Sequence, residues 1–357
     1  MTSQINVLAD YKKQALKNTN ILLLMAAAVF VLTVLSVGFG SMQIGFADVV
    51  RTFMGKGEAV HRQVIYNLRM PRVLTGIISG FGLGVSGCIL QSLLHNPLAS
   101  ASTLGVSQGA SFGAAFSIVF LGTGMGVGAE SFWGALSPYI TTVCAFLGSM
   151  MVTFFILGLS KFKYIGPSEI VLAGVATSSI FSGFTALIQY FADDIDLSEI
   201  VFWTFGDLGR TTYKEILLIG LVVLAASVYF LFNSWNYNAI NAGTNTAMGL
   251  GVNIKHVRLA GLTLASLVVS TIVSFIGVVN FIGLIAPHIM RKVVGSDNRF
   301  LVPASMLCGS IILLLSDLFA RMIISPIILP IGAITSFMGA PLFVYILMRK
   351  GKKNAEN

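Results

Sequence analysis

Charge is what this 357-residue chain has least of: Asp, Glu, Lys and Arg together make up 10% of it, against about 25% in a soluble globular protein. That scarcity excludes a solvated catalytic domain. Cysteine is nearly absent as well. Cys88, Cys144 and Cys308 are odd in number and sit deep in apolar segments, so they read as small packing residues and not as a disulfide framework. The four histidines (His61, His95, His256, His288) show no metal-ligand spacing and join no triad with a carboxylate or a cysteine. No catalytic group and no metal site is therefore expected. The absence of a GxxxxGK[ST] loop means that the chain does not itself bind and hydrolyse a nucleotide.

Apolar sequence is what remains: 55% of residues are hydrophobic and the mean hydropathy is +0.87. About 20 apolar residues cross a bilayer as a helix, and backbone groups in lipid must be bonded internally. Ten segments qualify as spans: 21–39, 73–94, 107–121, 139–160, 170–191, 215–232, 259–279, 287–295, 300–320 and 331–348, of which 107–121 and 287–295 are short. The expected fold is an all-α polytopic membrane protein, with a cytoplasmic segment at 1–20, one transmembrane domain over 21–348 and a cytoplasmic tail at 349–357. The run from Ile21 to Phe39 exceeds the roughly 7–15 residues of a signal-peptide core and is read as a retained span.

An even number of spans puts both termini on one side. The cytoplasmic choice places Lys12, Lys13, Lys17, Lys161, Lys163, Lys255, Arg258, Arg291, Lys292, Arg299, Arg349, Lys350, Lys352 and Lys353 inside, as the positive-inside bias requires. Outside fall Arg51, Lys56, Arg62, Arg69, Arg72, Arg210, Lys214 and Arg321, with the acidic group Asp193, Asp194, Asp196, Glu199 and Asp207 in one outer connection. The net charge of +8 thus follows from sidedness and calls for no nucleic-acid partner.

"NLRMPRVLTG" (67–76) and "NIKHVRLAGL" (253–262) each set a basic pair before a Gly/Ser-rich apolar helix, and each helix leads to a Pro-containing stretch, "HNPLAS" and "IAPHIM". On opposite sides of the membrane, the two form the pattern of a weak inverted repeat. "HNPLASASTLGVSQGA" (95–110) interrupts a tract from Val73 to Ala129 that holds no charge. Pro97 cannot donate an N–H and Asn96 favours a turn, so the chain breaks there. Irregular backbone at membrane depth is tolerated where it is buried in protein or lines an aqueous path. A second constellation, "FIGLIAPHIMRKVVGSDNR" (281–299), has Pro287 beginning a short helix. In a third, Asp317 and Arg321 lie one helical turn apart and are expected to form a structural ion pair. An intramembrane carboxylate also supports another reading, an ion-coupled secondary transporter that works through Asp317 without an ATPase.

These stretches, with "VLAGVATSSIFSGFTALIQYFAD" (171–193) and "MGLGVNIKHVRLAG" (248–261), resemble in order the permease subunits of type II ABC importers, which take up ferric siderophores, haem and cobalamin. One departure is Ile328, where that family has an acidic residue before "LP". The resemblance implies a BtuC-like fold of ten helices in the cell inner membrane and a homodimer around a central path. It also implies two cytoplasmic ATPases, which bind the ATP and Mg, and an extracytoplasmic substrate-binding protein; no cofactor belongs to this chain. By the same resemblance Asn96, Pro97 and Leu98 form the cytoplasmic narrowing of the path, Ser168 a second constriction, and Thr177, Ser178 and Phe181 part of its wall. Residues 234–258, with Asn245, Ala247, Met248, Gly249, Leu250 and Gly251 at their centre, resemble the segment that docks into the ATPase. Arg69, Arg72 and Arg321 match outer-surface arginines that meet acidic residues of the binding protein. The substrate most in keeping with the family is a ferric siderophore.

Overall fold

The computed structural model describes residues 2–40, 42, 44–124, 132–162 and 166–355, and every regular element among them is helical. Part of the outer connection (125–131), Lys163 and the last two residues of the tail lie outside the described residues. In chain order the helices are α1 (Thr2–Gly38), α2 (Phe46–Phe53), α3 (Ala59–Gln63), α4 (Met70–Leu93), α5 (Val106–Phe120), α6 (Phe132–Phe162), α7 (Pro167–Phe191) and α8 (Asp194–Phe205). They continue as α9 (Tyr213–Phe232), α10 (Ser234–Asn241), α11 (Thr244–Gly249), α12 (Ile254–Ile276), α13 (Ile282–Val293), α14 (Asn298–Met322) and α15 (Ile331–Ala355). A π-helical segment, Val64–Arg69, joins α3 to α4.

Each of the ten expected spans overlaps a helix, but length separates them. Seven described helices are long and apolar enough to cross a bilayer: Asp10–Gly38, Ala59–Leu93, Pro138–Leu159, Pro167–Phe191, Tyr213–Phe232, Ile254–Ile276 and Asn298–Met322. Val106–Phe120 is shorter, Ile331–Pro341 is the described apolar part of α15, and the 12 residues of α13 reach only about 18 Å at 1.5 Å per residue.

Helix α4 is the axis of the bundle. Within its apolar window 78% of residues are buried, against 22% for α1, which identifies α1 as a peripheral helix of the bundle. Packing in lipid cannot draw on a hydrophobic difference between helix and solvent, so small residues that let backbones approach carry the contacts. On α4 these are Gly80 and Gly84, which lie against the backbone of α14 at Ser310 and Ser305. On α5, Gly109 and Gly113 meet α6 at Gly148 and Cys144 in the same way.

The structure moves one break. The sequence places it at Pro287, but the chain leaves α12 at Gly277 (φ 81°) and enters α13 at Phe281 (φ 67°), and Pro287 sits inside α13. A proline at this position has no N–H for the carbonyl of Gly283, four residues back. That carbonyl faces α4 at Gly87, where a Cβ would fall on it. One turn along α4, Gln91 donates from Nε2 to the Leu284 carbonyl at 3.1 Å. Pro287 is thus accommodated where α13 packs closely on α4, and Gln91 adds a bond to the carbonyl next to the one that the proline leaves without its helical partner. The order long helix, break, short helix occurs twice, as α4 to α5 and α12 to α13.

Gly87→Ala should lower the thermal midpoint in detergent by the equivalent of about 1–3 kcal/mol, the usual cost of overpacking. Gly183→Ala, with nothing within 4 Å of the new methyl, should leave it unchanged or raise it. Equal midpoints for Gly87→Ala and the parent would refute the close approach of α4 and α13.

Candidate functional site

The side chains that carry charge or break the helical pattern collect at the two ends of the bundle. At one end, α1 and α14 finish beside the start of α4. Asp317 is fully buried and lies between two guanidiniums, with Arg72 Nε at 2.6 Å and Arg321 Nε at 2.9 Å. Arg72 reaches Asp207 as well, at 3.0 Å. Arg69 donates to the carbonyls of Val37 and Gly38, each at 2.7 Å, and to that of Met42; Arg321 donates to those of Phe39 at 2.7 Å and Ser36 at 3.1 Å. The last carbonyls of a helix have no partners within it. Here arginines from two other helices supply them to α1.

This arrangement corrects one expectation and fulfils another. The Asp317–Arg321 pair forms, but Arg69, Arg72 and Arg321 are not presented at the outer surface: all three side chains are buried, at 6%, 8% and 6% exposure. A guanidinium inserted among apolar helices must be bonded where it lies, and these are spent on α1, Asp207 and Asp317. Asp207 belongs to this cluster and has no spacing signal in the sequence.

At the opposite end, α4 runs out at Leu94 into the turn read as the gate. His95 adopts a left-handed conformation (φ 47°). Asn96 Oδ1 accepts the N–H of Leu98 at 2.9 Å, and the Asn96 carbonyl accepts that of Ala99 at 3.1 Å, so Pro97 occupies a side-chain-closed turn. Ser100, Ser102 and Thr103 then bond one another, which answers what the run of hydroxyls does: it satisfies backbone that lipid cannot. Gly105 (φ 81°) starts α5, and a Cβ there would lie 2.8 Å from Ser178 Oγ. Asn96 and Pro97 are half-buried and Leu98 is exposed.

Helix α7 rests on α5 through one narrow stripe, Ile170, Gly174, Thr177, Phe181, Thr185 and Ile188. Thr177 and Phe181, expected along the path, therefore face inward; Phe181 stacks edge-on against Phe112 at 5.4 Å between centroids. Their position on the contact stripe is a matter of helical phase, which the sequence leaves open because between Ile170 and Ile188 every face of α7 is apolar or hydroxylated. Ser178 is half-buried beside Gly105, and Ser168 is exposed at the start of the helix. The open face instead carries Val175, Ser179, Ser182, Phe184, Leu187 and Tyr190, with Glu169 in the first turn of the helix as its charge.

Segment 234–258 divides its labour. Helix α10 is embedded: Ser234, Tyr237, Ala239 and Ile240 are buried. Helix α11 is presented: Ala247 alone anchors it, while Asn245, Met248, Gly249, Leu250 and Gly251 are exposed, Met248 at 56% and Leu250 at 68%. Around α10 lies a polar cluster that sequence reasoning missed. Asn238 Nδ2 donates to Asp297 Oδ1 at 2.8 Å, and Asn238 Oδ1 accepts both the N–H and the side-chain amide of Asn298 at 2.8 Å. Asn298 Oδ1 accepts from Ser92 on α4 at 3.2 Å. Asp297 caps α14 and pairs with Arg299, whose guanidinium lies 4.2 Å from the Trp235 ring centroid and 5.7 Å from that of Tyr11. Asp297 before an apolar helix is a cap signature that could have pointed here; Asn238 carries none.

The chain is matched from residue 28 to residue 349 by the model of the FecCD transport family. An ABC transporter permease protein of Methanocaldococcus jannaschii is 44% identical over 96% of this chain and 98% of its own length. The hemin transport system permease protein HmuU of Yersinia pestis is 30% identical over 93% and 97%. Among solved structures, an inward-facing metal-chelate type ABC transporter is similar with a TM-score of 0.78 and 28% identity, covering 93% of this chain and 99% of its own.

Two measurements check the clusters. Asp317→Asn leaves two buried guanidiniums without their carboxylate and should cost about 3–5 kcal/mol, whereas Asp48→Asn, at an exposed pair, should cost under about 1 kcal/mol. Equal thermal midpoints for the two variants would contradict the clamp. At the other end, burial alone would raise the Asp297 carboxyl, but hydrogen bonds from Arg299 and Asn238 outweigh it and hold it below the ordinary range. A group with a depressed folded pKa contributes its stability above the unfolded value, about 4, and loses it as pH falls through the folded one. The midpoint should therefore drop less between pH 7 and pH 3 in Asp297→Asn than in the parent; parallel acid slopes would exclude Asp297 as the group.

Proposed function

The chain belongs to the FecCD transport family, and from that premise we propose that it is the permease subunit of an ATP-driven importer that moves a bulky metal chelate into the cytoplasm. A permease of this family is a transport subunit and not an enzyme, the ATPase being a separate chain. The observation that carries the reading is the split in segment 234–258. Exposed Met248 and Leu250 on a short, otherwise polar helix, fixed by one buried alanine, are what a docking contact for another protein requires, and embedded α10 ties that contact to the bundle.

In this reading two copies of the chain enclose the path, two ATPases sit below the α11 helices, and both termini lie in the cytoplasm. Beyond Glu169 in its first turn, the open face of α7 offers apolar, aromatic and hydroxyl groups to the cargo, a wall over which a large chelate slides and is not gripped. Specificity then rests with the extracytoplasmic binding protein. Ferric siderophore is the proposed cargo; haem and cobalamin are the other chelates of the family. Docking of the binding protein would use the bundle end that holds Asp317, but not the three arginines there, which are engaged internally. An ion-coupled transporter working through Asp317 loses its ionisable group for the same reason: that carboxylate is held between two guanidiniums.

Paired replacement of Met248 and Leu250 by Asp should abolish copurification of the ATPase while the permease keeps its thermal midpoint. Retention of a stoichiometric ATPase would reject the assignment of α11.

A further inference from the structure

The polar cluster around α10 joins three elements that the proposed transport cycle must move together. The buried amide of Asn298 is bonded on one side to Asn238 of α10 and on the other to Ser92, in the last turn of α4. Three residues beyond Ser92, His95 begins the gate turn, and its Nε2 lies 3.1 Å from the Ile240 carbonyl, also on α10. A carbonyl can only accept, so Nε2 carries the proton there. Helix α10 is thus tied to the end of α4 and to the turn that follows it, at two points on opposite sides of the α4 terminus. Its apolar side is seated too, since Tyr237 and Ile240 are part of the core formed with α4 and α12.

The far side of the turn is held by packing: Ala99, Ala101 and Leu104 are buried, and Leu104 and Gly105 lie against α7 at Gly174 and Ser178. From Ser100 to Thr103 the hydroxyl bonds are local, and Gly105 in its left-handed conformation separates the turn from α5. The gate turn is therefore hydrogen-bonded to α10 on its α4 side and packed against α7 on its α5 side, so that a shift of α10 meets a turn seated at both ends. An interface with two discrete arrangements passes a small shift on as a rigid displacement, whereas a loose one absorbs it.

We propose that Asn238, Asn298 and His95 are positioning residues that fasten the gate turn to the coupling segment, so that displacement of α11 by the ATPase is delivered to residues 94–105 through α10. This rests on the reading of 234–258 as the coupling segment and adds the route by which its movement reaches the gate. The route asks for a bond at each point and not for a particular side chain. At 95 it needs a residue that tolerates positive φ and reaches the Ile240 carbonyl.

The test uses the permease–ATPase complex in lipid nanodiscs, with a single introduced cysteine at Leu98→Cys in the turn or Ala242→Cys after α10. Reaction with a water-soluble maleimide is followed without nucleotide and after trapping with ATP, Mg and vanadate; a complex with no introduced cysteine sets the background. In the parent, both positions should change their rate on trapping by about fivefold or more, the lower range of ordinary coupling. With His95→Asn, which keeps the turn conformation but is too short to reach Ile240, and with Asn238→Ala, the response at 242 should persist and that at 98 should fall below about half. His95→Gln, long enough to donate to the same carbonyl, should restore it. A response at 98 that survives the combined His95→Asn and Asn238→Ala changes overturns the route while leaving the coupling reading intact. A parent complex in which position 242 does not respond overturns the coupling reading and this route with it.

Discussion

A backbone carbonyl or amide left unpaired in lipid has no water to turn to, and most of what is distinctive in this chain answers that constraint. Where helices stop or are disturbed inside the bundle, side chains bond the backbone there. Arg69 and Arg321 take up the last carbonyls of α1, Gln91 reaches the backbone of α13, and the amide of Asn96 closes the turn after α4. The disturbed backbone at Pro287 is tolerated on the same terms, because Gly87 lets α4 come close to it.

The two ends of the bundle use polar groups differently. At the Asp317 end, charges are matched with charges, two guanidiniums on one carboxylate with Asp207 as a second acid, and the result is a clamp with little left to offer an outside partner. In the polar cluster at the His95 end, the bonds are mostly between neutral amides and hydroxyls, and its carboxylate, Asp297, is only partly buried. Neutral hydrogen bonds cost less to break and remake than a buried ion pair, which suits the end proposed to move. Between them runs α4, buried along nearly its whole length and packed through glycine, a rod that connects the two ends.

Much of the fold was legible because hydrophobic length is a one-dimensional property. Each expected span overlaps a helix, and the break at Asn96 and Pro97 stands where turn chemistry puts it. The short helix placed to begin at Pro287 begins five residues earlier, at Ile282, since the left-handed residues Gly277 and Phe281 end one helix and start the next while Pro287 is accommodated within it. Thr177 and Phe181 were legible as members of α7 but not as members of its buried stripe. An apolar helix in a membrane has no polar face to mark which side meets protein and which meets lipid or path.

The sequence by itself determined that this is a helical membrane protein, roughly where its spans lie, and which segment is too polar to be a span. Only the tertiary structure decided which polar groups are free. Arg69, Arg72 and Arg321 look alike in sequence to arginines at a surface, and become structural because α1 ends beside them and because Asp317 and Asp207 converge from elements far away along the chain. Asn238, Asn298, Ser92 and His95 are likewise unremarkable one by one; they act together because three helix ends meet at one place, and no local pattern encodes that meeting.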